Sequence, residues 1–166
     1  WIKQYKILDK YAYACIMMLM ITKNAKPNTD FELCLNLSFR KATRVISKIY
    51  DRELADCGIK CTQFSILRAT YVMKQTTNAE LQDRLVLDQT TLTRGLKLLI
   101  RDGLIQAEPG LDRRQKILSL TTKGKDLYRQ AEKRWRRVQA VMRKRLGPDM
   151  TEQMIELNSA LVALRR

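Results

Sequence analysis

Apolar residues recur at helical spacing through the first part of the chain, with charged residues between them. From Phe31 to Leu54 they include Leu33, Leu37 and Val45, and this spacing predicts a long amphipathic helix. A short polar loop containing Gly58 ends that helix. A second helix is predicted over residues 62–73, where the apolar residues again share one stripe.

Two short helices are predicted next. Thr77 and Glu80 have the S/T-x-x-E spacing of a capping box, which predicts that a helix starts there. Asp88 is the predicted N-cap of the following helix, which runs to about Arg101 and stops at Asp102–Gly103. Two short helices joined by a few residues are typical of a helix-turn-helix.

The hydrophobic pattern then changes from helical to alternating. The segments LIQAE and KILSL flank PGLDRRQ and predict a β-hairpin with a basic tip. Thr121 is the predicted cap of a helix over residues 122–146, and a last helix follows Gly147–Pro148. A helix-turn-helix followed directly by such a hairpin predicts a winged helix. The expected fold class is mostly α with a small β-hairpin wing.

The helix that begins DQTTLTRG opens with weak helix formers, since its threonines are β-branched and Gly95 costs about 1 kcal/mol relative to alanine. On a helical wheel one side carries Leu92, Leu96, Leu99 and Ile100, which we expect to pack on the domain. The other side carries small hydroxyl groups and cations, which can contact base edges and phosphates in a major groove. The plain alternative is a solvated helix face, and the adjoining wing favours DNA. The candidate DNA-binding residues of this helix are Gln89, Thr90, Thr91, Thr93, Arg94 and Lys97.

The hairpin tip supplies three further candidates, Asp112, Arg113 and Arg114. An arginine at such a tip can enter a minor groove, where narrow A·T-rich sequence concentrates negative potential. Asp112 would pair with an arginine and hold the tip in shape. The alternative is a solvated turn with a local ion pair worth about 0–1 kcal/mol.

Composition points to a polyanionic partner. The 166 residues carry 32 Lys and Arg against 17 Asp and Glu, a formal net charge of +15. Residues 113–145 alone contain 13 Lys and Arg with two acidic residues. Such an excess favours nucleic acid or an anionic membrane surface as the partner.

The chain has no histidine, which excludes histidine-based metal sites and Ser-His-Asp or Cys-His catalysis. It also lacks a glycine-rich phosphate loop and a recognisable pair of catalytic carboxylates. We therefore expect no enzyme activity, no cofactor and no metal. The four cysteines form no C-x-x-C pattern and are expected to be reduced thiols in the cytoplasm.

Residues 1–30 are predicted to be an N-terminal extension with a candidate helix. The apolar segment Ala12–Ile21 has ten residues, well short of the ~20 needed to span a bilayer. A buried or dimer-facing helix is favoured over an interfacial anchor, and no membrane partner is expected. A polar break containing Pro27 separates this extension from the rest.

Three segments, IYDRELADCGIKCTQFSILRA, NAELQDRLVLDQTTLTRGLKLLIRDGLI and DRRQKILSLTTKGKDLY, resemble the MarR family of winged-helix transcription regulators. The resemblance covers residues 31–166. It implies a homodimer, with residues 31–56 and 122–166 as a helical dimerisation region and residues 57–121 as the winged helix-turn-helix. Lys60 stands where the family usually has a threonine that caps the second helix, so Thr62 must supply this cap or it is lost.

The resemblance also implies a function: a sequence-specific regulator of double-stranded DNA, most often a repressor that binds a pseudo-palindromic operator. A small aromatic ligand or an oxidant would release it. Cys34 is the candidate redox-sensing residue because one branch of the family has a cysteine early in the first long helix. Its apolar neighbours favour a buried, inert thiol, and Cys57 and Cys61 are expected to be more exposed. The alternative function is a basic, non-specific nucleic-acid-binding or architectural protein.

Overall fold

A computed structural model describes residues 34–110 and 115–165. The chain divides into two compact units, residues 1–45 and 46–166. Of the first unit, residues 34–45 are described, and all but the first belong to a helix. The predicted N-terminal extension, with its apolar segment, lies outside the described residues. Among the described helices none is long and apolar enough to cross a membrane.

The described elements follow the predicted order of helices and strands. A single turn of 3₁₀ helix over Ala55–Cys57 follows the first helix. The helices are α1 (Leu35–Leu54), α2 (Cys61–Met73), α3 (Asn78–Leu85), α4 (Gln89–Arg101), α5 (Thr122–Leu146) and α6 (Pro148–Ala163), and the strands are β1 (Ile105–Pro109) and β2 (Lys116–Leu120). The prediction of a mostly helical chain with one β-hairpin is confirmed.

Side-chain caps at the predicted residues explain why α3 and α5 begin where they do. The Thr77 hydroxyl accepts from the Glu80 N–H at 3.3 Å, and the Glu80 carboxylate accepts from the Thr77 N–H at 2.8 Å. Thr121 caps α5 by accepting from the Gly124 N–H at 3.0 Å. Each cap satisfies backbone donors that a helix start leaves without a partner.

Of the two outcomes expected for the start of α2, the second is observed: Thr62 does not cap this helix, and the cap that a threonine side chain would give is lost. Lys60 is the N-cap residue, and its ammonium group cannot accept a hydrogen bond. The Gln63 side chain accepts from the Lys60 N–H at 2.9 Å, and the Asp51 carboxylate accepts from the Cys61 N–H at 2.7 Å. The cap is thus shared between the first turn of α2 and the end of α1.

The sheet gains a third segment that the hydrophobic pattern did not predict. Strands β1 and β2 pair antiparallel, with Ile105 opposite Leu120 and Pro109 opposite Lys116. Thr76 forms an isolated bridge to Leu118, with hydrogen bonds of 3.0 and 2.7 Å in the two directions. The bridge fixes the segment between α2 and α3 to the wing.

One apolar core joins the helix-turn-helix, the hairpin and the first half of α5. Helix α2 packs against α3, α4, β2 and α5. Phe64 stacks on Tyr128 with ring centroids 5.9 Å apart, and its centroid is 6.1 Å from that of Trp135. The buried residues of this core are Leu54, Ile59, Phe64, Ile66, Leu67, Ala69, Leu81, Leu92, Leu96, Leu99, Leu104, Ile105, Leu118, Leu120, Tyr128 and Ala131.

Helix α6 differs from the others in having no buried residue. Its exposed large apolar side chains are Met150, Ile155, Leu157, Leu161 and Val162. The contact of its C-terminal end with α3 is polar: the Arg165 guanidinium donates to the carbonyl oxygen of Asp83 at 2.9 Å and to its carboxylate at 3.0 Å.

Candidate nucleic-acid interface

Helix α4 starts at the predicted cap. The Asp88 carboxylate accepts from the Thr91 N–H at 2.8 Å and from the Thr91 hydroxyl at 2.6 Å. The hydroxyl bond and then the backbone bond lower the pKa of the Asp88 carboxyl from its ordinary value. A charged carboxylate at this position also interacts favourably with the positive end of the helix dipole.

Three leucines fix the inner face of α4. Leu92, Leu96 and Leu99 are each at most 4% exposed. Ile100 was predicted to pack with them, but it is 40% exposed. Its direction differs from that of Leu92 by about 80° on the helical wheel, at the edge of the apolar stripe, so the prediction for this residue was wrong.

Gly95 allows α4 to approach α2 closely. A Cβ atom built on Gly95 would lie 2.6 Å from Cδ1 of Ile66, a buried residue of α2. The weak helix former in this segment therefore has a packing reason, and its partner is Ile66, which the sequence did not reveal. Close packing of α2 against α4 holds the outer face of α4 in a defined place.

The outer face of α4 carries polar groups that are unused within the described residues. Thr90, Thr93, Arg94 and Lys97 are exposed, and their side chains make no hydrogen bond to another described residue. Gln89 is also exposed at the start of the helix. Arg101 is engaged instead, since its Nε donates to the Asp102 carboxylate at 2.8 Å. Two cations and two hydroxyl groups thus remain available on one face.

The turn between α3 and α4 is set by backbone geometry. Val86 has φ 54° and ψ 46°, a left-handed conformation that costs a β-branched residue roughly 1–2 kcal/mol. Its N–H donates to the carbonyl of Asp83, the group that also accepts from Arg165. Sequence reasoning missed this arginine because it lies 82 residues from its partner.

The second strand of the wing has the predicted bounds, whereas the first, Ile105–Pro109, lies one residue later than the predicted segment LIQAE. The N–H of Gly110 donates to the carbonyl of Gln115 at 2.9 Å, one step beyond the last strand pair. The tip candidates Asp112, Arg113 and Arg114 lie outside the described residues. Their role in DNA binding therefore stays a prediction.

The cysteine exposures are opposite to the expectation. Cys34 is exposed, whereas Cys57 and Cys61 are half-buried. Cys34 lies just before the first residue of α1, so the helix does not enclose it. Burial, and secondarily the nearby Asp51 carboxylate, raise the pKa of the Cys61 thiol. This environment disfavours a reactive thiolate at Cys61.

Comparison with known proteins agrees with this architecture. The family model for the ArnR1-like winged-helix domain matches residues 86–139. The solved structure of the Mycobacterium tuberculosis transcriptional regulator MosR in complex with DNA is 36% identical in sequence, with a TM-score of 0.70, and the match covers 80% of this chain and 99% of that one. The chain belongs to the MarR family. Members of this family regulate transcription, which agrees with the expectation that the protein is not an enzyme.

Two other similarities are consistent with membership of the MarR family. A mutant of Escherichia coli MarR, solved with operator DNA, shares the fold at a TM-score of 0.73 and 22% identity, covering 81% of this chain and 99% of that one. An uncharacterized HTH-type transcriptional regulator of Staphylococcus aureus is 37% identical over 92 residues, which are 55% of this chain. The chain spans 63% of that relative's length.

Proposed function

We propose that this MarR-family protein is a sequence-specific regulator of transcription that binds double-stranded DNA through α4 and the wing. The observation that carries this proposal is the outer face of α4, where Thr90, Thr93, Arg94 and Lys97 are exposed without a partner among the described residues. The inner face is anchored by buried leucines, so these groups are presented on a rigid element. The MosR and MarR structures named above, both solved with DNA, support the same partner.

In the proposed complex α4 enters the major groove. Arg94 can bind O6 and N7 of a guanine with two parallel hydrogen bonds, and the threonine hydroxyls can contact base edges. Gln89 and Lys97 lie at the ends of this surface, where phosphates or outer bases come within reach. The wing residues Arg113 and Arg114, steadied by Asp112, would enter the adjacent minor groove.

We propose further that the active species is a homodimer. The apolar side chains of α6 are exposed in the single chain, and a second copy would cover such a face. Two α4 helices would then read half-sites about one helical turn apart on a pseudo-palindromic operator. We also propose that the protein acts as a repressor and is located in the cytoplasm with the chromosome. A small aromatic ligand, or oxidation at Cys34, would release it from the operator.

The test is a selection of duplexes from a random pool by the wild-type protein, followed by titration against a scrambled duplex of equal length. The selected duplex should bind far more tightly, and raising the salt concentration should weaken both complexes. Arg94→Ala should weaken binding to the selected duplex by about 5- to 150-fold, as expected for one lost bidentate contact.

Arg137 supplies the matched control, because it is an exposed arginine on α5 far along the chain from α4. Arg137→Ala removes the same charge and should leave the preference for the selected duplex unchanged. If Arg94→Ala and Arg137→Ala behaved alike, the assignment of α4 as the reading surface would be wrong.

The alternative function, non-specific binding, is favoured by one observation, the net charge of +15. Such a protein would bind the selected and scrambled duplexes equally, since contacts to phosphates carry no sequence information. If the two affinities were equal, the protein would be an architectural or general nucleic-acid-binding protein and not the proposed sequence-specific regulator.

A further inference from the structure

The three threonines at the start of α4 differ in how their hydroxyl groups are used. The Thr91 hydroxyl donates to the Asp88 carboxylate at 2.6 Å. The hydroxyl groups of Thr90 and Thr93 make no hydrogen bond to another described residue. A hydroxyl group has one proton to donate, so Thr91 has no donor left for a phosphate or for an acceptor atom on a base edge.

The partner of Thr91 is a carboxylate at the end of the proposed DNA-binding face. A free carboxylate there would repel the phosphates of an approaching duplex. Both Asp88 oxygens instead accept from Thr91, one from the backbone N–H at 2.8 Å and the other from the hydroxyl. These bonds direct the negative charge to the first turn of the helix, where backbone N–H groups offset it.

We infer that Thr91 is a positioning residue, which holds the Asp88 carboxylate against the first turn of α4 while Thr90 and Thr93 read the DNA. This inference rests on the proposed function, because it assigns parts within the surface that is proposed to enter the major groove. It separates three side chains that the sequence presents as equivalent. The part played by Thr91 depends on its hydroxyl group and on Asp88, and on no particular base.

Isosteric substitutions test this division. Thr→Val keeps the shape of the side chain and removes the hydroxyl, whereas Thr→Ser keeps the hydroxyl and removes the methyl. Each variant is titrated with the duplex selected by the wild-type protein and with a panel of that duplex carrying one base-pair change at a time. Thermal unfolding of each variant shows whether it is folded at the assay temperature.

Thr91→Val should weaken binding by a similar factor across the whole panel, about fivefold, as expected for the net loss of the one hydrogen bond from the hydroxyl group. Thr91→Ser should bind within about twofold of wild type, because a serine hydroxyl can make the same bond. Thr90→Val or Thr93→Val should instead abolish the preference at one base pair, a change of more than about fivefold at that position. In an Asp88→Asn background, Thr91→Val should have a smaller effect than in the wild type, because the charge that Thr91 holds is gone.

The inference is overturned if Thr91→Val removes the preference at a single base pair, or if Thr91→Ser binds as weakly as Thr91→Val. It is also overturned if the effects of Asp88→Asn and Thr91→Val on the free energy of binding simply add. A failure of the proposed function is distinct: the wild-type protein would then bind selected and scrambled duplexes equally. Should Thr91→Val be unfolded at the assay temperature, Thr91→Ser is compared with the wild type and with Thr93→Ser on the same panel of duplexes. If the Thr91 methyl contacted a base, Thr91→Ser would lose the preference at one base pair, and the inference would be overturned.

Discussion

Gly124 lies in the first turn of α5 against the backbone of Leu104, and replacing it with alanine should destabilise the fold. A Cβ atom at this position would lie 2.0 Å from the carbonyl oxygen of Leu104 and 2.9 Å from its carbonyl carbon. Non-bonded atoms of this size prefer separations of about 3.5 Å, so α5 and the start of the wing would have to move apart by more than about 1 Å.

Hydrogen bonds at the same place oppose that movement. The Leu104 carbonyl accepts from the Thr121 N–H at 3.1 Å, and the Thr121 hydroxyl donates to the Gly103 carbonyl at 2.7 Å. Overpacking costs about 1–3 kcal/mol, and one weakened hydrogen bond adds about 1 kcal/mol. Alanine's higher helix propensity returns about 1 kcal/mol at most. We therefore expect the free energy of unfolding to fall by about 1–3 kcal/mol.

The assay is urea unfolding followed by circular dichroism at one fixed protein concentration, since the stability of the proposed dimer would depend on concentration. Thr122→Ala, at the exposed neighbouring position, controls for the general effect of alanine in this turn. Gly95→Ala provides a graded comparison, because its Cβ would meet only the end of the Ile66 side chain, which can change rotamer. Gly124→Ala should be the least stable of the three. A Gly124→Ala variant within about 0.5 kcal/mol of Thr122→Ala would refute the close approach.

Three further outcomes are expected. Asp51→Ala should lower the free energy of unfolding by about 1 kcal/mol, because it removes the acceptor for the Cys61 N–H, and Asp51→Asn should recover most of this loss in the same urea titration. Hydrogen bonds from the Thr77 N–H and then the Thr76 hydroxyl lower the pKa of the Glu80 carboxyl below its ordinary value. The contribution of Glu80 to stability is therefore present above that ordinary pKa and is lost as the pH falls through the lowered pKa. Glu80→Gln should accordingly lose less stability than the wild type between about pH 5 and about pH 3. In the folded protein, iodoacetamide should alkylate Cys34 faster than Cys61, whose thiol pKa is raised by burial, and peptide mapping that found equal rates would contradict this assignment.

Local chemistry explains why much of the fold could be predicted from the sequence. The caps at Thr77, Asp88 and Thr121 act within three residues of themselves, so the sequence contains both donor and acceptor. Leu92, Leu96 and Leu99 of α4 follow the helical period and are buried as that period predicts. The order of two short helices followed by a hairpin is sufficient to predict a winged helix.

The remaining features depend on residues that are distant in sequence. The cap that Asp51 gives to Cys61, the bridge between Thr76 and Leu118, and the contact of Arg165 with Asp83 are all of this kind. Hydrophobic spacing carries no information about such pairs. For the candidate site, the sequence predicted the outer face of α4, but not that one threonine hydroxyl there is already engaged.

The central claim, that the outer face of α4 reads DNA sequence, is tested most directly by pairing Arg94→Ala with a change in the DNA itself. The duplex selected by the wild-type protein is prepared with 7-deazaguanine at one guanine per half-site at a time, which removes the N7 acceptor that a bidentate arginine uses. At one such position we predict that the change weakens binding of the wild-type protein and leaves the affinity of Arg94→Ala unaltered. The contrary result is that, at every guanine tested, the wild type and Arg94→Ala lose affinity by the same factor. Arg94 would then bind no guanine N7 in the duplex, and the proposed role of α4 would be contradicted.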